Sequence, residues 1–159
     1  MSEITIELVG RGTRWTFAKR EIRVGRDNNC DVILAADEYP MVSRNHLLLR
    51  LEGRVFFANA ERIAEKIGAL IKEAKPKIVA LDLSAVFDLE YTALKMVTEG
   101  EKRQRARGVS LWLVGLNPDV LAMVKRSPLG EVLGRERMHF NLEVAVARYL
   151  ASFTSVSGA

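Results

Sequence analysis

Two strand-length apolar runs, "IVALDL" at residues 78–83 and "VSLWLVG" at residues 109–115, constrain the fold more than any other feature of the chain. Runs with little polar alternation are typical of strands covered on both faces, as in parallel sheets that carry helices on each side. Helical spacing of apolar residues occurs before, between and after the two runs. Strands that alternate with helices predict right-handed crossovers, and therefore an α/β fold with a mostly parallel sheet and packed helices.

Four helices are predicted from the apolar period and from capping residues. The first has Asn59 as its expected N-cap, and the second covers about residues 89–106. A short third helix has Asn117 as N-cap and Pro118 at its first position, where proline is favoured. Asn141 is expected to cap the last helix, after a short strand in "MHF". This pattern predicts an α/β domain over residues 53–151 and a flexible tail over residues 152–159.

The first 52 residues contain no helical period. Their β-rich runs "ITIELVG", "RWTFA", "EIRVG", "DVIL" and "HLLLRLE" are separated by Gly, Asp, Asn and Pro, so residues 1–52 are predicted to form a short all-β segment. Alone, these strands would expose unpaired edges and one apolar face. We therefore expect them to pack on the α/β part, to pair with another chain, most simply as a homodimer through residues 4–51, or to belong to a fusion whose missing strands lie elsewhere.

Composition and motifs weigh against several functional classes. The apolar runs are much shorter than the roughly 20 residues of a bilayer-spanning helix, and "MSEITIELVG" lacks the pattern of an export signal, so a cytoplasmic protein is expected. One cysteine, Cys30, and two histidines, His46 and His139, offer no zinc-ligand spacing. The chain has no P-loop, nucleophile elbow or His-Glu-x-x-His motif, so we expect no metal, no cofactor and no enzymatic activity.

The formal net charge of +4 raises the question of nucleic-acid binding. The densest basic cluster is "KRQRARG" at residues 102–108, which ends a predicted helix. Cations there complement the negative end of the helix dipole, and no aromatic residue interleaves with them for base stacking. The cluster is interpreted as a solvated helix end, and no nucleic-acid partner is expected.

Polar side chains gather in "LDLSAVFDLEYTALK", residues 81–95, where a buried strand is predicted to give way to a helix. Asp88, Glu90, Tyr91 and Thr92 lie at this junction. In open α/β sheets, ligands and partners meet the rim at the carboxyl ends of the strands. Three roles are open: helix capping by Asp88, phosphorylation of Thr92, or contact with an anion or a partner without phosphorylation.

Blocks of sequence occur together in a known order in the segments "LEGRVFFANAERI", "KIVALDLSAVFDLEYTALK", "RARGVSLWLVGLNPDVLAMVKRSPLGEVLGRERMHF" and "NLEVAVARYL". Over about residues 47–150 they resemble a STAS domain, most closely the cytoplasmic STAS domain of bacterial SulP-type sulfate transporters. The resemblance implies a non-enzymatic regulatory module whose partner is a transporter membrane domain or a kinase-like anti-sigma regulator.

The resemblance to STAS-type anti-sigma-factor antagonists also implies a switch. In those proteins a Ser or Thr in an Asp-Ser-Ser/Thr-Gly turn is phosphorylated, and the matching positions here are Glu90-Tyr91-Thr92-Ala93. Thr92 keeps the hydroxyl of the phosphoacceptor, whereas the three neighbours differ from the family pattern. Phosphorylation is therefore expected to break the contacts of a protein-docking turn, with Thr92 not a catalytic nucleophile.

The segment "VGRDNNCDVILAADEYPMVSRNH", residues 24–46, resembles the first half of a forkhead-associated domain. The resemblance implies that Arg26, Ser43 and Arg44 contact a phosphothreonine and that His46 braces the loop. Arginine and hydroxyl groups suit phosphate oxygens. The later Asn-Gly-Thr turn of that family does not occur in this sequence. Binding of a phosphothreonine protein is therefore the alternative function.

Overall fold

The computed structural model describes residues 4–8, 13–18, 21–34 and 46–154. Within these ranges the chain forms eight strands and five helices in the order β1 (Ile4–Leu8), β2 (Thr13–Phe17), β3 (Glu21–Gly25), β4 (Val32–Ile33), β5 (His46–Val55), α1 (Phe57–Ala74), β6 (Ile78–Leu89), α2 (Tyr91–Arg105), β7 (Ser110–Val114), α3 (Pro118–Lys125), α4 (Pro128–Leu133), β8 (Met138–His139) and α5 (Leu142–Thr154). None of the described helices is long and apolar enough to cross a membrane.

A six-stranded sheet in the order β4-β3-β5-β6-β7-β8 organises the molecule. The pairs β5/β6, β6/β7 and β7/β8 are parallel, which confirms the predicted α/β fold with its mostly parallel sheet. The β3/β5 pair is antiparallel, and β4 joins β3 in parallel. Strands β1 and β2 form a separate antiparallel pair.

The core lies on both faces of the sheet, as strand alternation requires. In β5, Leu47 and Leu49 belong to a large cluster with residues of α1 to α4, whereas the intervening Leu48 belongs to a second cluster. That second cluster contains Ile22 and is packed by Tyr149 of α5. The N-terminal strands therefore bury apolar surface against the C-terminal helix of the same chain.

Local capping explains most helix starts. The Asn117 side chain accepts a hydrogen bond from Val120 N at 2.9 Å, and Pro118 is the first residue of α3. The Asn141 side chain likewise accepts a hydrogen bond from Val144 N at 2.8 Å, so both caps are as expected. Asn59 was predicted to be the N-cap of α1, but this is wrong, because the helix begins about one turn earlier, at Phe57. Asn59 lies inside the helix, where its side chain accepts from Phe56 N and donates to Arg54 O, both at 2.9 Å.

The predicted boundary at residues 52 and 53 falls inside β5. This strand runs unbroken from His46 to Val55, with register irregularities around Glu52 and Gly53, where Gly53 has φ +86°. A glycine tolerates that left-handed backbone without a Cβ clash. The same strand pairs with β3 on one side and β6 on the other, so the N-terminal strands and the parallel sheet share it. The division into domains at this point stays a prediction.

Candidate functional site

The candidate site is the rim of the sheet where β5 and β6 end next to each other. Val55 and Leu89 are paired in register at this end, and Glu90 N donates to Val55 O at 3.0 Å. Helix α1 leaves the rim at Phe57 and α2 leaves it at Tyr91. The two helix N-termini therefore lie over neighbouring strands at one edge, as in other parallel α/β sheets.

The strand that leads to the rim is longer than expected. The predicted strand "IVALDL" covers residues 78–83, but β6 continues to Leu89. The part of β6 that extends beyond its pairing with β7 is paired with β5 on one side. On the other side, Asn117 Nδ2 donates a hydrogen bond to Val86 O at 3.1 Å. Because these partners satisfy the backbone that β7 no longer reaches, the strand stays extended up to the helix.

Arg54 holds the two acidic residues of the rim together. Its Nε lies 2.7 Å from Asp88 Oδ2, and its Nη2 donates to Glu90 Oε1 at 2.7 Å. The other Glu90 oxygen accepts from Phe57 N at 3.3 Å. The guanidinium also lies over the Phe56 ring, 5.5 Å from its centroid, at cation–π distance. One cation thus serves two carboxylates and links the starts of α1 and α2.

Asp88 does not cap α2, which corrects the capping prediction. It lies in β6, and Glu90 is the N-cap residue, without a side-chain hydrogen bond to the helix. Glu90 is turned towards Arg54 and Phe57 instead. The first backbone bond of α2 runs from Leu94 N to Glu90 O at 2.9 Å, so the N–H groups of Tyr91, Thr92 and Ala93 precede the helical ladder.

Thr92 is exposed in the first turn of α2, whereas the next two residues, Ala93 and Leu94, are buried in the core. Thr92 is therefore accessible to solvent on a helix turn that is held in place by the buried residues that follow it. Three aromatic side chains are unusually exposed at this edge: 69% for Phe57, 70% for Phe87 and 71% for Tyr91. Large exposed apolar groups are typical of surfaces that meet a partner.

The structure thus brings Thr92, Asp88, Glu90 and Tyr91 to one rim, as the sequence predicted. Sequence reasoning missed Arg54, because its partners are 34 and 36 residues away along the chain. A weak signal existed, since an arginine at a predicted strand end can face a carboxylate on the next strand. The exposure of Phe57 and Phe87 left no sequence signal, because both follow apolar strand residues.

The residues of the forkhead-associated resemblance lie elsewhere. Arg26 directly follows β3, and Ser43 and Arg44 fall outside the described residues. His46 starts β5, where its Nε2 lies 2.7 Å from the Tyr149 hydroxyl of α5 and its ring makes an edge contact at 4.8 Å. Burial lowers the pKa of His46 to about 4, so the imidazole is neutral near pH 7.

Comparison with known proteins decides the family. The model of the STAS domain family matches residues 39–147, more than half of the chain. This chain belongs to the STAS domain family. The match begins before β5 and covers the whole rim around Thr92.

Curated relatives of this STAS domain include sulfate transporter 3.2 of Arabidopsis thaliana. It is 26% identical over 136 residues, which cover 78% of this chain and 21% of the relative. The chain spans about a fifth of the length of the curated relatives that it matches.

Among solved structures, a sulfate transporter family protein from Wolinella succinogenes is 25% identical, with a TM-score of 0.56 over 66% of this chain and 86% of that one. The anti-sigma factor antagonist SpoIIAA in its unphosphorylated form has a TM-score of 0.56 at 21% identity, over 69% of this chain and 91% of that one. The second likeness shows the shared fold alone.

Proposed function

We propose that this STAS domain is a non-enzymatic regulatory module that docks a protein partner at the rim around Thr92 and releases it when Thr92 is phosphorylated. The observation that carries the proposal is the exposed Thr92 in the first turn of α2, which follows exposed Tyr91 and the N-cap Glu90 that Arg54 pairs with. Exposure gives a kinase access to the hydroxyl. The exposed aromatic groups give a partner apolar area to cover.

The charges of the rim favour release on phosphorylation. Asp88 and Glu90 share the single guanidinium of Arg54. A phosphate on Thr92 would add about two negative charges beside them. Backbone N–H groups at the start of α2 can hold that phosphate on the domain itself. A partner whose surface complements the unmodified rim would then meet a strongly negative one, which weakens the contact.

The proposed partner is the membrane domain of a sulfate transporter. Two relatives that are 25% or more identical, the Arabidopsis and Wolinella proteins, carry sulfate transporter in their descriptions. A kinase-like anti-sigma regulator is the other partner class, supported by the SpoIIAA-like fold. Co-purification of the chain with a sulfate transporter membrane domain, against an anti-sigma kinase as the competing bait, tests this choice.

Replacement of Thr92 by glutamate is expected to weaken binding of the partner at least about tenfold, equivalent to roughly 1.4 kcal/mol. The added carboxylate lies two residues from Glu90, and among the described residues Arg54 is the cation paired with Asp88 and Glu90. Thr92→Ala removes the hydroxyl without adding charge, so its affinity is expected to stay within about twofold. Binding is measured by calorimetric titration with the purified partner.

Ala147→Glu provides the matched control, because Ala147 is exposed on α5 and the substitution adds the same charge away from the rim. Its affinity is expected to equal that of the unmodified chain. Equal binding by Thr92→Glu and Thr92→Ala would leave the phosphorylation switch without support. Unchanged binding by a Tyr91→Ala variant as well would remove the rim from the docking surface.

Phosphothreonine-peptide binding through the N-terminal strands is the alternative. Arg26 stands at the end of β3, but β3 and β5 belong to the six-stranded sheet. Because the sequence lacks the late Asn-bearing turn, affinity for phosphothreonine peptides is predicted to be at least about tenfold below a complete site. Calorimetry with a phosphothreonine peptide library measures it. Tight binding that Arg26→Ala abolishes would contradict the prediction and favour the alternative.

A further inference from the structure

A cavity of about 290 Å³ lies between α1, α2 and the sheet, and its wall includes Ala93 of α2 but not the neighbouring Thr92. Its walls are mainly apolar, with Ile63 and Ile67 on α1, Val97 on α2 and Leu81 and Leu111 on the strands. Ligand pockets are typically apolar, with a few polar groups that fix orientation. A cavity of this size is unusual in a small core, because protein interiors are normally close-packed.

Two glycines lie in the wall of the cavity. Gly68 of α1 and Gly100 of α2 both line it, and a Cβ added at either would meet nothing within 4 Å. Both lie inside helices, where glycine is less favourable than alanine. Larger side chains would fit at these positions, and alanine would favour the helices more than glycine does. The sequence therefore retains open space at a cost to helix stability.

Polar groups are confined to the end of the cavity next to the C-terminus of α2. Gln104 Oε1 is buried there without a hydrogen-bond partner, and the exposed Arg103 and Arg107 also line the cavity. Within the described part of the chain, neither arginine makes an ion pair. The buried Glu101 carboxylate in the same wall is balanced by Arg137 at 3.3 Å and Arg105 at 3.5 Å.

We infer that this cavity binds the chain of a linear monocarboxylic acid, with the carboxylate at the Gln104 end. Arg103 and Arg107 supply the positive charge that a carboxylate prefers. The Gln104 amide, whose two ends are interchangeable by rotation, supplies a donor to the same group. A dry cavity of about 150 Å³ holds benzene, with six non-hydrogen atoms. The present cavity thus has room for about twelve, the number in decanoate.

The inference is tested by calorimetric titration of the whole chain with decanoate below its micelle concentration. We expect saturable one-to-one binding, with weaker binding of decyltrimethylammonium, which has the same chain length and the opposite charge. Gly100→Leu fills the open space, so decanoate affinity is expected to fall at least about tenfold while the melting temperature does not fall. Ala147→Leu, on the exposed face of α5, is the control and should bind normally.

The placement of the carboxylate at the Gln104 end of the cavity is tested by a matched pair of variants. Arg107→Gln is expected to lower the affinity for decanoate about threefold, because an exposed ion pair contributes little free energy. Lys102→Gln removes the same charge from α2 at an exposed residue outside the cavity wall and should change nothing. Absence of saturable binding, or full affinity in the Gly100→Leu variant, would overturn the cavity as a ligand site. Equal affinity for the cationic analogue would overturn the carboxylate assignment. None of these outcomes depends on the Thr92 switch.

Discussion

Arg50→Ala is expected to lower the free energy of unfolding by about 3–5 kcal/mol, because it leaves a buried carboxylate without its cation. Asp82 is only 2% exposed, and its Oδ2 lies 2.8 Å from Arg50 Nε and 2.7 Å from Nη2. The two residues are paired in register between β5 and β6, at the centre of the sheet. Asp82 Oδ1 also accepts from Ser84 N at 3.0 Å, so the variant would disturb the strand itself.

Urea denaturation of three variants separates this effect from ordinary surface electrostatics. Arg54→Ala is the matched control: it removes an arginine of the same strand whose partners are half-exposed, and it should cost no more than about 1 kcal/mol. The double variant Arg50→Met with Asp82→Leu should recover most of the lost stability, since no buried charge remains unpaired. If Arg50→Ala costs no more than Arg54→Ala, the buried pair does not carry the stability assigned to it.

Acidification is expected to destabilise the fold through His46. Burial lowers its pKa to about 4, below the usual value of 6.5, so the folded state favours the neutral ring. The unfolded chain therefore binds the proton more readily. The stability that comes from the neutral His46 ring is present above pH 6.5 and is lost as the pH falls towards 4. At pH 4 the loss of unfolding free energy is roughly 3 kcal/mol. About 2 kcal/mol of it is lost between pH 6.5 and 5, where most carboxylates remain ionised.

The measurement is the free energy of unfolding at pH 7 and pH 5 for the unmodified chain and for His46→Gln. Glutamine cannot titrate, so the variant should lose less stability over this interval. The pKa of His139 is also lowered, by burial and by the positive charge of Arg148, and acts in the same direction in both proteins. Parallel losses in the two proteins would show that His46 does not cause the acid sensitivity.

Much of the fold could be predicted, because the relevant signals are local. The leucine-rich run of β5 and the apolar runs of β6 and β7 indicate the sheet from neighbouring residues alone. The start of α3 follows from Asn117 and Pro118. The short helix α4 was missed although Ser127 and Pro128 present the same kind of start, with Ser127 as N-cap.

The errors at the candidate site come from long-range partners. The apolar run ends at Leu83, and Ser84 and Asp88 are residue types typical of turns, so the local pattern indicates that the strand ends early. The strand persists because β5 and Asn117, distant in sequence, supply its hydrogen bonds. The Arg54 contacts likewise depend on the register of β5 and β6, which no short window contains. Sequence therefore located the rim and its hydroxyl but could not assign the ion pairs around them.

The position of β5 has a consequence for how the molecule opens. It is hydrogen-bonded to the antiparallel β3 on one side and the parallel β6 on the other, and its residues enter the cores of both sheet faces. Residues 47–49 of β5 have a paired strand on each side, so each of their amides exchanges with solvent only after the flanking strand that accepts its hydrogen bond has separated. These amides are expected to be among the slowest to exchange. A protein shortened to begin at residue 53 would lose most of this strand and leave β6 as a bare edge. Gene fusions or truncations of this module are therefore better made upstream of β3 than at the change of sequence pattern.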